Sequence, residues 1–390
     1  MCHTLVRDVT VHLIFSKADF QIRGQSYESF PILIDEKNDV FVEGLEFLVH
    51  HCLKRGSVQS RRSWDTYGRD LYDFFAFLEA NKLDWRTLSD RANETILAIY
   101  RDASFQHFKL SASTVNRRLH LAIKFYQYAL RQGWVNTLPF ELETVKVKRH
   151  NGFLAHTDTS GGYTVKPDVL LKTPITKIKI LNSEQIADLL NAIRNPTIRL
   201  IVRLGLLTGL RKEELLTFPV KYVTSPKLTS ARSHIVVELK PQEMSLKGSK
   251  GRSIHVPISL MHDLWDYAIY DRNQLVQSQN TNPNTLFVTT KGESWSVNSR
   301  SLNNQLKALN LPFPCNPHVL RHTYATHTLK ALMERKSISF NPLLYVRDRL
   351  GHSSITTTER YLHFLDEIQD DLRTAYQDEI ELICKEFAKG

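Results

Sequence analysis

The sequence predicts a mostly helical protein with a small antiparallel β-sheet, divided into two domains. Three observations predict it. Apolar residues recur at three- and four-residue steps through most of the chain from Ser57 onward, the period of amphipathic helices. In the C-terminal half, strand-like runs concentrate between residues 233 and 258, as H-I-V-V-E-L and S-I-H-V-P-I around a turn rich in Lys and Gly. Between the two helical regions, residues 141–180 lose periodicity and fill with Lys, Gly, Ser, Thr and Pro, the composition of a linker.

A chain of 390 residues is long enough for two domains with a sizeable core. Its hydrophobic share of 42% and charged share of 24% are those of an ordinary globular protein. No apolar run approaches the ~18 residues of a membrane span. The opening M-C-H-T-L-V-R-D-V-T-V-H-L-I-F has acidic and polar residues inside any apolar stretch, which makes it a poor signal peptide. A formal charge of +10 suits a polyanionic partner such as DNA without proving one. Cys2, Cys52, Cys315 and Cys384 are too scattered for a zinc-knuckle spacing or a disulfide framework, so a reduced, cytoplasmic setting is expected.

In chain order, residues 1–55 form a mixed N-terminal extension. T-V-H-L-I-F and F-P-I-L-I-D read as short strands, and Phe41 to Cys52 as a short amphipathic helix. Residues 56–140 read as a helical domain. Trp64, Tyr67, Leu71, Phe74, Phe75 and Leu78 make one apolar stripe, best read as core. Ser111 to Thr114 then starts a helix in which Leu119, Ile123, Phe125, Tyr126 and Leu130 are expected inside. Arg117, Arg118, His120, Lys124 and Arg131 are expected in water, as a plain solvated face or as a phosphate-binding one. The basic linker of residues 141–180 follows. The second domain, residues 181–390, opens with a capping box from Asn182 to Gln185 and the apolar face of Ile186, Leu189, Leu190 and Ile193. Two helices follow, broken at Thr208-Gly209. Arg211 lies just past the break, near a helix N-terminus that adds positive potential for an anion. Glu214 stands at i+3 from Arg211, placed to fix that guanidinium by an ion pair or simply to face solvent.

The chemistry-bearing stretch runs from His318 to Tyr361. Asn316-Pro317 supplies a helix start, and on that helix His318, Arg321 and His322 share one face. Two imidazoles and a guanidinium together suit a phosphate, whose oxygens match the guanidinium fork. Asn341-Pro342 starts another short helix that Gly351 ends. His352 follows, and Tyr361 comes nine residues later, after a possible capping box of Thr356 and Glu359. A tyrosine hydroxyl can serve as a nucleophile in covalent catalysis.

The order H-x-x-R-H, then G-H, then Tyr nine residues on resembles the C-terminal signature of the tyrosine recombinases, the phage integrase family. That family has an Arg in a T-G-x-R-x-x-E-L box, matched here by Arg211 and Glu214 in T-G-L-R-K-E-E-L. It also has a Lys in a β-hairpin ending in R-x-x-x-V-P, matched by Lys247 in S-L-K-G-S-K-G-R-S-I-H-V-P, with Lys250 as the second choice. The resemblance covers about half the chain. It implies a two-domain DNA clamp, a helical core-binding domain followed by an α+β catalytic domain.

What the resemblance implies is a site-specific DNA recombinase, of the integrase or transposase kind from a mobile element. It cuts and rejoins strands through a covalent 3′-phosphotyrosine. Tyr361 is the nucleophile, Arg211 and Arg321 clamp the non-bridging oxygens, and Lys247 is the general acid for the leaving 5′-oxygen. His318 positions or activates Tyr361, and His352 donates to a phosphate oxygen. Glu214 orients Arg211, while His322 is expected to pack behind the site. Arg117, Arg118, Lys124, Lys250 and Arg252 are candidates for DNA contact. No cofactor and no metal are called for, since two guanidiniums carry the charge. The implied partners are double-stranded DNA, three further copies of the chain docked in trans through the acidic C-terminal helix, and accessory proteins. The protein is expected in the cytoplasm, with the nucleoid when on DNA. The competing readings are a type IB topoisomerase-like DNA relaxing enzyme and a catalytically silent DNA-binding protein. Two stretches depart from the family pattern as insertions: S-P-K-L-T-S-A-R-S, between Arg211 and Lys247, and M-E-R-K-S-I-S-F-N, between Arg321 and His352.

Overall fold

The computed structural model describes residues 11–35, 37–54, 61–88, 94–146, 163–173, 178–225, 233–335, 340–352, 356–359 and 361. The chain divides into two compact units, Met1–Ile175 and Thr176–Gly390.

In the first unit the two expected N-terminal strands form and pair. β1 (His12–Phe15) runs antiparallel to β4 (Pro31–Ile34), with β2 (Gln21–Ile22) and β3 (Gln25–Ser26) as a smaller hairpin between them. Phe30 and Leu33 belong to the same buried cluster as Phe47 and Leu48 of α1 (Val42–Leu48) and as Trp64, Leu71, Phe74 and Phe75 of α2 (Arg61–Ala80). α3 (Ile96–Asp102) starts where the Thr95 hydroxyl accepts from the Ala98 N–H. α4 (Ala112–Gln132) starts where Ser111 accepts from the Thr114 N–H, and ends at Gly133 in a left-handed conformation. Phe125 meets Phe47, Phe75 and Trp85 edge-on, so the core of this unit is largely aromatic. Leu130, expected inside, is 37% exposed. Tyr128 and Ala129 take the core-facing positions of that last turn.

The stretch 141–180 is more regular than its composition suggests. β5 (Leu142–Lys146) pairs antiparallel with β6 (Tyr163–Pro167). Asp168 accepts from the Glu141 N–H, and Asn116 of α4 exchanges two hydrogen bonds with the Leu171 backbone. Two five-residue strands separated by sixteen residues carry no local hairpin signal, which is why the sequence hides them.

In the second unit, α5 (Ser183–Ala192) carries the expected capping box of Asn182 and Gln185. α6 (Pro196–Thr208) is capped by Asn195 and ends at Gly209, whose φ is +66°. A side chain there would also collide with the Tyr324 ring, so Gly209 is required twice over. α7 (Lys212–Leu216) follows at once. β7 (His234–Leu239) and β8 (Arg252–Pro257) form the expected antiparallel pair, joined through a tight turn at Lys247–Ser249. α8 (Ile258–Tyr267), α9 (Asn273–Ser278) and α10 (Ser301–Lys307) lead to α11 (Pro317–Glu334). Asn316 caps α11 by accepting from the N–H groups of His318 and Val319. α11 has no polar stripe because it is central: Val319, Leu320, Tyr324, Ala325 and Leu329 are buried on several sides. α12 (Pro342–Leu350), capped by Asn341, ends at Gly351, and α13 is a single turn at Thr356–Glu359. The Thr356 and Glu359 side chains, most of the first insertion, residues 336–339 of the second and the acidic C-terminal helix lie outside the described residues. Among the described residues, no helix is long and apolar enough to cross a membrane.

Candidate active site

Helix ends that meet around α11 build the site. Gly209 and Leu350 end α6 and α12, and each leaves a carbonyl pointing at α11. Arg321, 2% exposed, donates Nη1–H to the Gly209 oxygen and Nη2–H to the Leu350 oxygen, both at 2.7 Å. A guanidinium has five N–H groups, and these two bonds engage two of them. Burial, then the neighbouring charge of Arg211, pushes the Arg321 pKa down to about 9, still above neutral pH.

Arg211 sits at the residue before α7. Its N–H donates to Glu214 Oε2 at 2.8 Å and its Nη1–H to Glu214 Oε1 at 3.0 Å, so the expected ion pair is present. Its Nη2 lies 3.4 Å from the Gly351 oxygen. Glu214 is 1% exposed. Burial pushes its carboxyl up, but the hydrogen bonds and charge of Arg252, followed by those of Arg211, outweigh this and hold it below the usual carboxylate range.

Arg252 is therefore corrected. It was expected to reach for DNA, but its side chain is 7% exposed and donates to both Glu214 oxygens, at 3.0 and 2.6 Å, and from Nε to the Arg349 oxygen at 2.8 Å. A buried carboxylate between two helices needs this second cation. Lys247 and Lys250 of the β7–β8 turn stay exposed and face the same cavity as the two arginines.

Tyr361 is 2% exposed, with its ring between those of His322 and His352. Nδ1 of His322 lies 3.0 Å from the Tyr361 hydroxyl oxygen. The reading of His322 as packing behind the site is thus corrected: the turn of chain at Tyr361 folds onto the exposed side of α11 and brings the hydroxyl to it. His318, one turn earlier on α11, is exposed and meets the His322 ring edge-on at 4.1 Å between centroids. His352 Nδ1 lies 3.0 Å from the Thr358 hydroxyl oxygen. Burial, then the charges of Arg321 and Arg211, pushes the His352 pKa down to about 3, so this imidazole is neutral at physiological pH. A Thr358 hydroxyl that donates to Nδ1 leaves the proton of His352 on Nε2; one that accepts leaves it on Nδ1.

Arg211, Lys247, His318, Arg321, His352 and Tyr361 all line one cavity of about 1010 Å³. Thr358 and the inward role of Arg252 were missed in the sequence. The only signal for Arg252 is its position five residues after Lys247, and Thr358 has none, because its contact depends on how the loop after Gly351 folds.

The residues proposed for DNA contact in the first unit divide. Lys124 and Arg117 line a shallow pocket with Ser113, Asn116 and His120. Arg117 also pairs with the buried carboxylate of Asp70. Arg118 is half-buried, and Asp73 accepts from its Nη1 at 2.6 Å and from the Tyr100 hydroxyl at 2.5 Å. This ion pair shares its charge with Asp73 at a partly exposed position.

A helical unit followed by an α+β unit with a cationic cavity and a tyrosine at its wall is the architecture of a DNA strand-transfer enzyme. Residues 179–367 match the phage integrase family, and residues 50–133 match the phage integrase N-terminal SAM-like domain. The chain is 27% identical over 332 residues to tyrosine recombinase XerC of Roseiflexus castenholzii, covering 82% of this chain and 88% of that protein. It is 25% identical over 284 residues to transposase A from transposon Tn554 of Staphylococcus aureus, covering 69% and 70%. Its fold is similar to that of a lambda integrase dimer bound to a COC′ core site, with a TM-score of 0.52, 15% identity, and 85% and 98% of the two chains covered. The chain belongs to the phage integrase family of tyrosine recombinases, enzymes of site-specific recombination that cut and rejoin DNA strands.

Proposed function

We propose that this chain recombines double-stranded DNA for a mobile element, with Tyr361 as the nucleophile. The observation that carries the reading is that all six matched positions line one cavity. Tyr361 Oη attacks the scissile phosphorus, forms the O–P bond of a 3′-phosphotyrosine, and expels the 5′-oxygen. Arg211 and Arg321 hold the non-bridging oxygens, where negative charge grows; fixed cations in a partly dry site are usually the largest catalytic contribution. Lys247, on its exposed turn, gives a proton to the 5′-oxygen. His352 gives an Nε2–H hydrogen bond to a phosphate oxygen. Glu214 and Arg252 position Arg211. Rejoining reverses the step: a 5′-hydroxyl attacks the phosphotyrosine and releases Tyr361, so no nucleotide hydrolysis is needed.

In the first unit, Lys124, with Arg117 beside it, contacts backbone phosphate, a sequence-independent contribution that salt weakens. The likeness to a transposase and the basic composition support a mobile-element role in the cytoplasm. Four copies assemble on two duplexes, since strand exchange needs four cuts. Six intact positions in one cavity speak against a silent DNA-binding protein.

The test is a nicked suicide duplex drawn from DNA flanking the gene. Wild type should give a protein–DNA band on a denaturing gel, Tyr361→Phe should give none, and two duplexes should exchange strands. Relaxation of supercoils without strand exchange would favour the topoisomerase-like reading. Salt-sensitive binding with no covalent band would favour the silent one.

A further inference from the structure

Lys247 can act only if the turn that carries it keeps a fixed place beside the other cavity residues, and that turn is exposed from Lys247 to Gly251. Around Gly248 the space is open: an added Cβ would meet nothing within 4 Å. The place of the turn is therefore set by its two stems. The incoming stem is fastened to the end of α7, where the Ser245 N–H donates to the Thr217 hydroxyl oxygen at 3.0 Å and Leu246 is buried. The outgoing stem is fastened to α12 by a reciprocal pair. Arg252 donates from Nε to the Arg349 oxygen, and Arg349 donates from Nη1 to the Ser253 oxygen, both at 2.8 Å. The Arg349 guanidinium also lies over the ring of Tyr345, one turn earlier on α12, at 5.0 Å from its centroid. The Tyr345 hydroxyl oxygen is in turn 3.0 Å from Nδ1 of His255, two residues along β8 from Ser253. α12 runs on into Leu350 and Gly351, whose carbonyls meet Arg321 and Arg211, and then into His352.

We infer that Arg349 is a positioning residue for the general acid: by holding the start of β8 on α12, it sets where the Lys247 turn stands relative to the two arginines and His352. This rests on the recombinase reading above and on Lys247 as the acid within it. Arg349 itself transfers no proton. The P–O5′ bond breaks as the Tyr361 O–P bond forms, and the proton on the 5′-oxygen comes from Lys247. What Arg349 contributes is geometry. The exposed turn has two left-handed positions, Gly248 and Ser249, and little packing of its own, so its aim depends on its stems. Arg252 fixes the first residue of β8 and Arg349 the second, so the strand cannot slide along α12 without breaking one of these bonds. A misplacement of about 1 Å in a catalytic group costs on the order of 10²-fold in rate.

The test uses the full chain, the suicide duplex, and a second duplex in which sulfur replaces the bridging 5′-oxygen. A thiolate leaves without a proton, so sulfur relieves loss of the general acid alone. Arg349→Met should cleave the oxygen duplex roughly 10- to 10²-fold slower than wild type, and the sulfur duplex at close to the wild-type rate. Lys247→Ala should show the same pattern. The double variant should be no slower on the oxygen duplex than Lys247→Ala, because an acid that is absent cannot be misplaced. A guanidinium that only stabilises the fold, or that touches phosphate directly, would slow both duplexes and add to Lys247→Ala; either result overturns the inference. Wild-type cleavage of the oxygen duplex by Arg349→Met overturns it too. Gel-shift binding shows whether Arg349→Met folds. If it does not, Arg349→Gln, which keeps a polar end and loses the charge over Tyr345, decides by the same comparison. If sulfur fails to rescue Lys247→Ala, Lys247 is not the acid and this inference falls with that role, while a covalent band lost in Tyr361→Phe leaves the recombinase reading standing. No covalent band from wild type on either duplex would overturn that reading and this inference together.

Discussion

Arg252 closes both terminal guanidinium nitrogens on the carboxylate of Glu214, which at the same time holds Arg211 by its side chain and its backbone N–H. One buried carboxylate thus sets the position of the cavity-lining arginine before α7 and anchors the strand that follows the Lys247 turn. Arg252→Met should lower unfolding free energy by about 3 kcal/mol, within the range for breaking a buried ion pair. Arg252→Lys should lose nearly as much, because a point charge cannot make the paired contact. Urea unfolding measures both, and equal stability of Arg252→Lys and wild type would show that geometry is irrelevant here.

Gly351 lies against that same guanidinium. Its φ is +65°, and an added Cβ would stand 3.1 Å from Arg252 Cδ. Gly351→Ala should destabilise by about 1 kcal/mol or more, from the left-handed backbone and the close contact together. A thermal midpoint unchanged within error would contradict this.

Lys247 stands on an exposed turn and should be separable from folding. Lys247→Ala should leave stability within about 0.5 kcal/mol of wild type, as expected for a surface site. Single-turnover cleavage should nonetheless drop roughly 10²-fold or more. If Lys250→Ala gives the larger loss instead, the acid is the other lysine of the turn.

His327 gives a pH dependence of stability. It is buried, its Nε2 lies 2.8 Å from the Leu181 oxygen, and burial pushes its pKa from 6.5 down to about 4. A depressed folded-state pKa means that the unfolded chain binds the extra proton first. The contribution is complete above pH 6.5 and is lost as pH falls toward 4. Between pH 7 and pH 5 this residue alone should remove about 2 kcal/mol. Chemical denaturation at the two pH values should show a smaller difference in His327→Gln, and an identical difference would exclude His327 as a source.

Lys124 and Arg118 should part company in DNA binding. Lys124→Ala should weaken binding evenly across sequences and reduce the slope of log K against log salt by about 0.9, one phosphate contact. Arg118→Ala should act mainly on folding, because it leaves Asp73 and the Tyr100 hydroxyl without their cation. A full-size drop in salt slope for a stably folded Arg118→Ala would show that Arg118 contacts phosphate as well.

Much of this was legible in the residues. Asn316-Pro317 and Asn341-Pro342 mark two helix starts that the structure contains, and Gly209 and Gly351 mark two stops. These are local signals: a cap satisfies the N–H groups of its own first turn, and a left-handed stop favours glycine whatever packs nearby. The strand-like runs on either side of the Lys- and Gly-rich turn likewise correspond to β7 and β8. The β5–β6 pair escaped because its register is fixed across a long gap and not by a turn.

By itself the sequence determined the helices, their ends, the β7–β8 pair, and which residue types are supplied in which order to a phosphate-binding site. Only the tertiary structure decided what those side chains face. Arg252 and Lys250 are two residues apart in one basic turn, yet one is buried on Glu214 and the other exposed. His318 and His322 share a helix face, yet it is His322 that lies at the Tyr361 hydroxyl. The reason is that charge and periodicity are properties of a short stretch, while burial and hydrogen-bond partners depend on elements far along the chain, 140 residues away between Arg211 and Gly351. Those contacts exist only once the chain has folded.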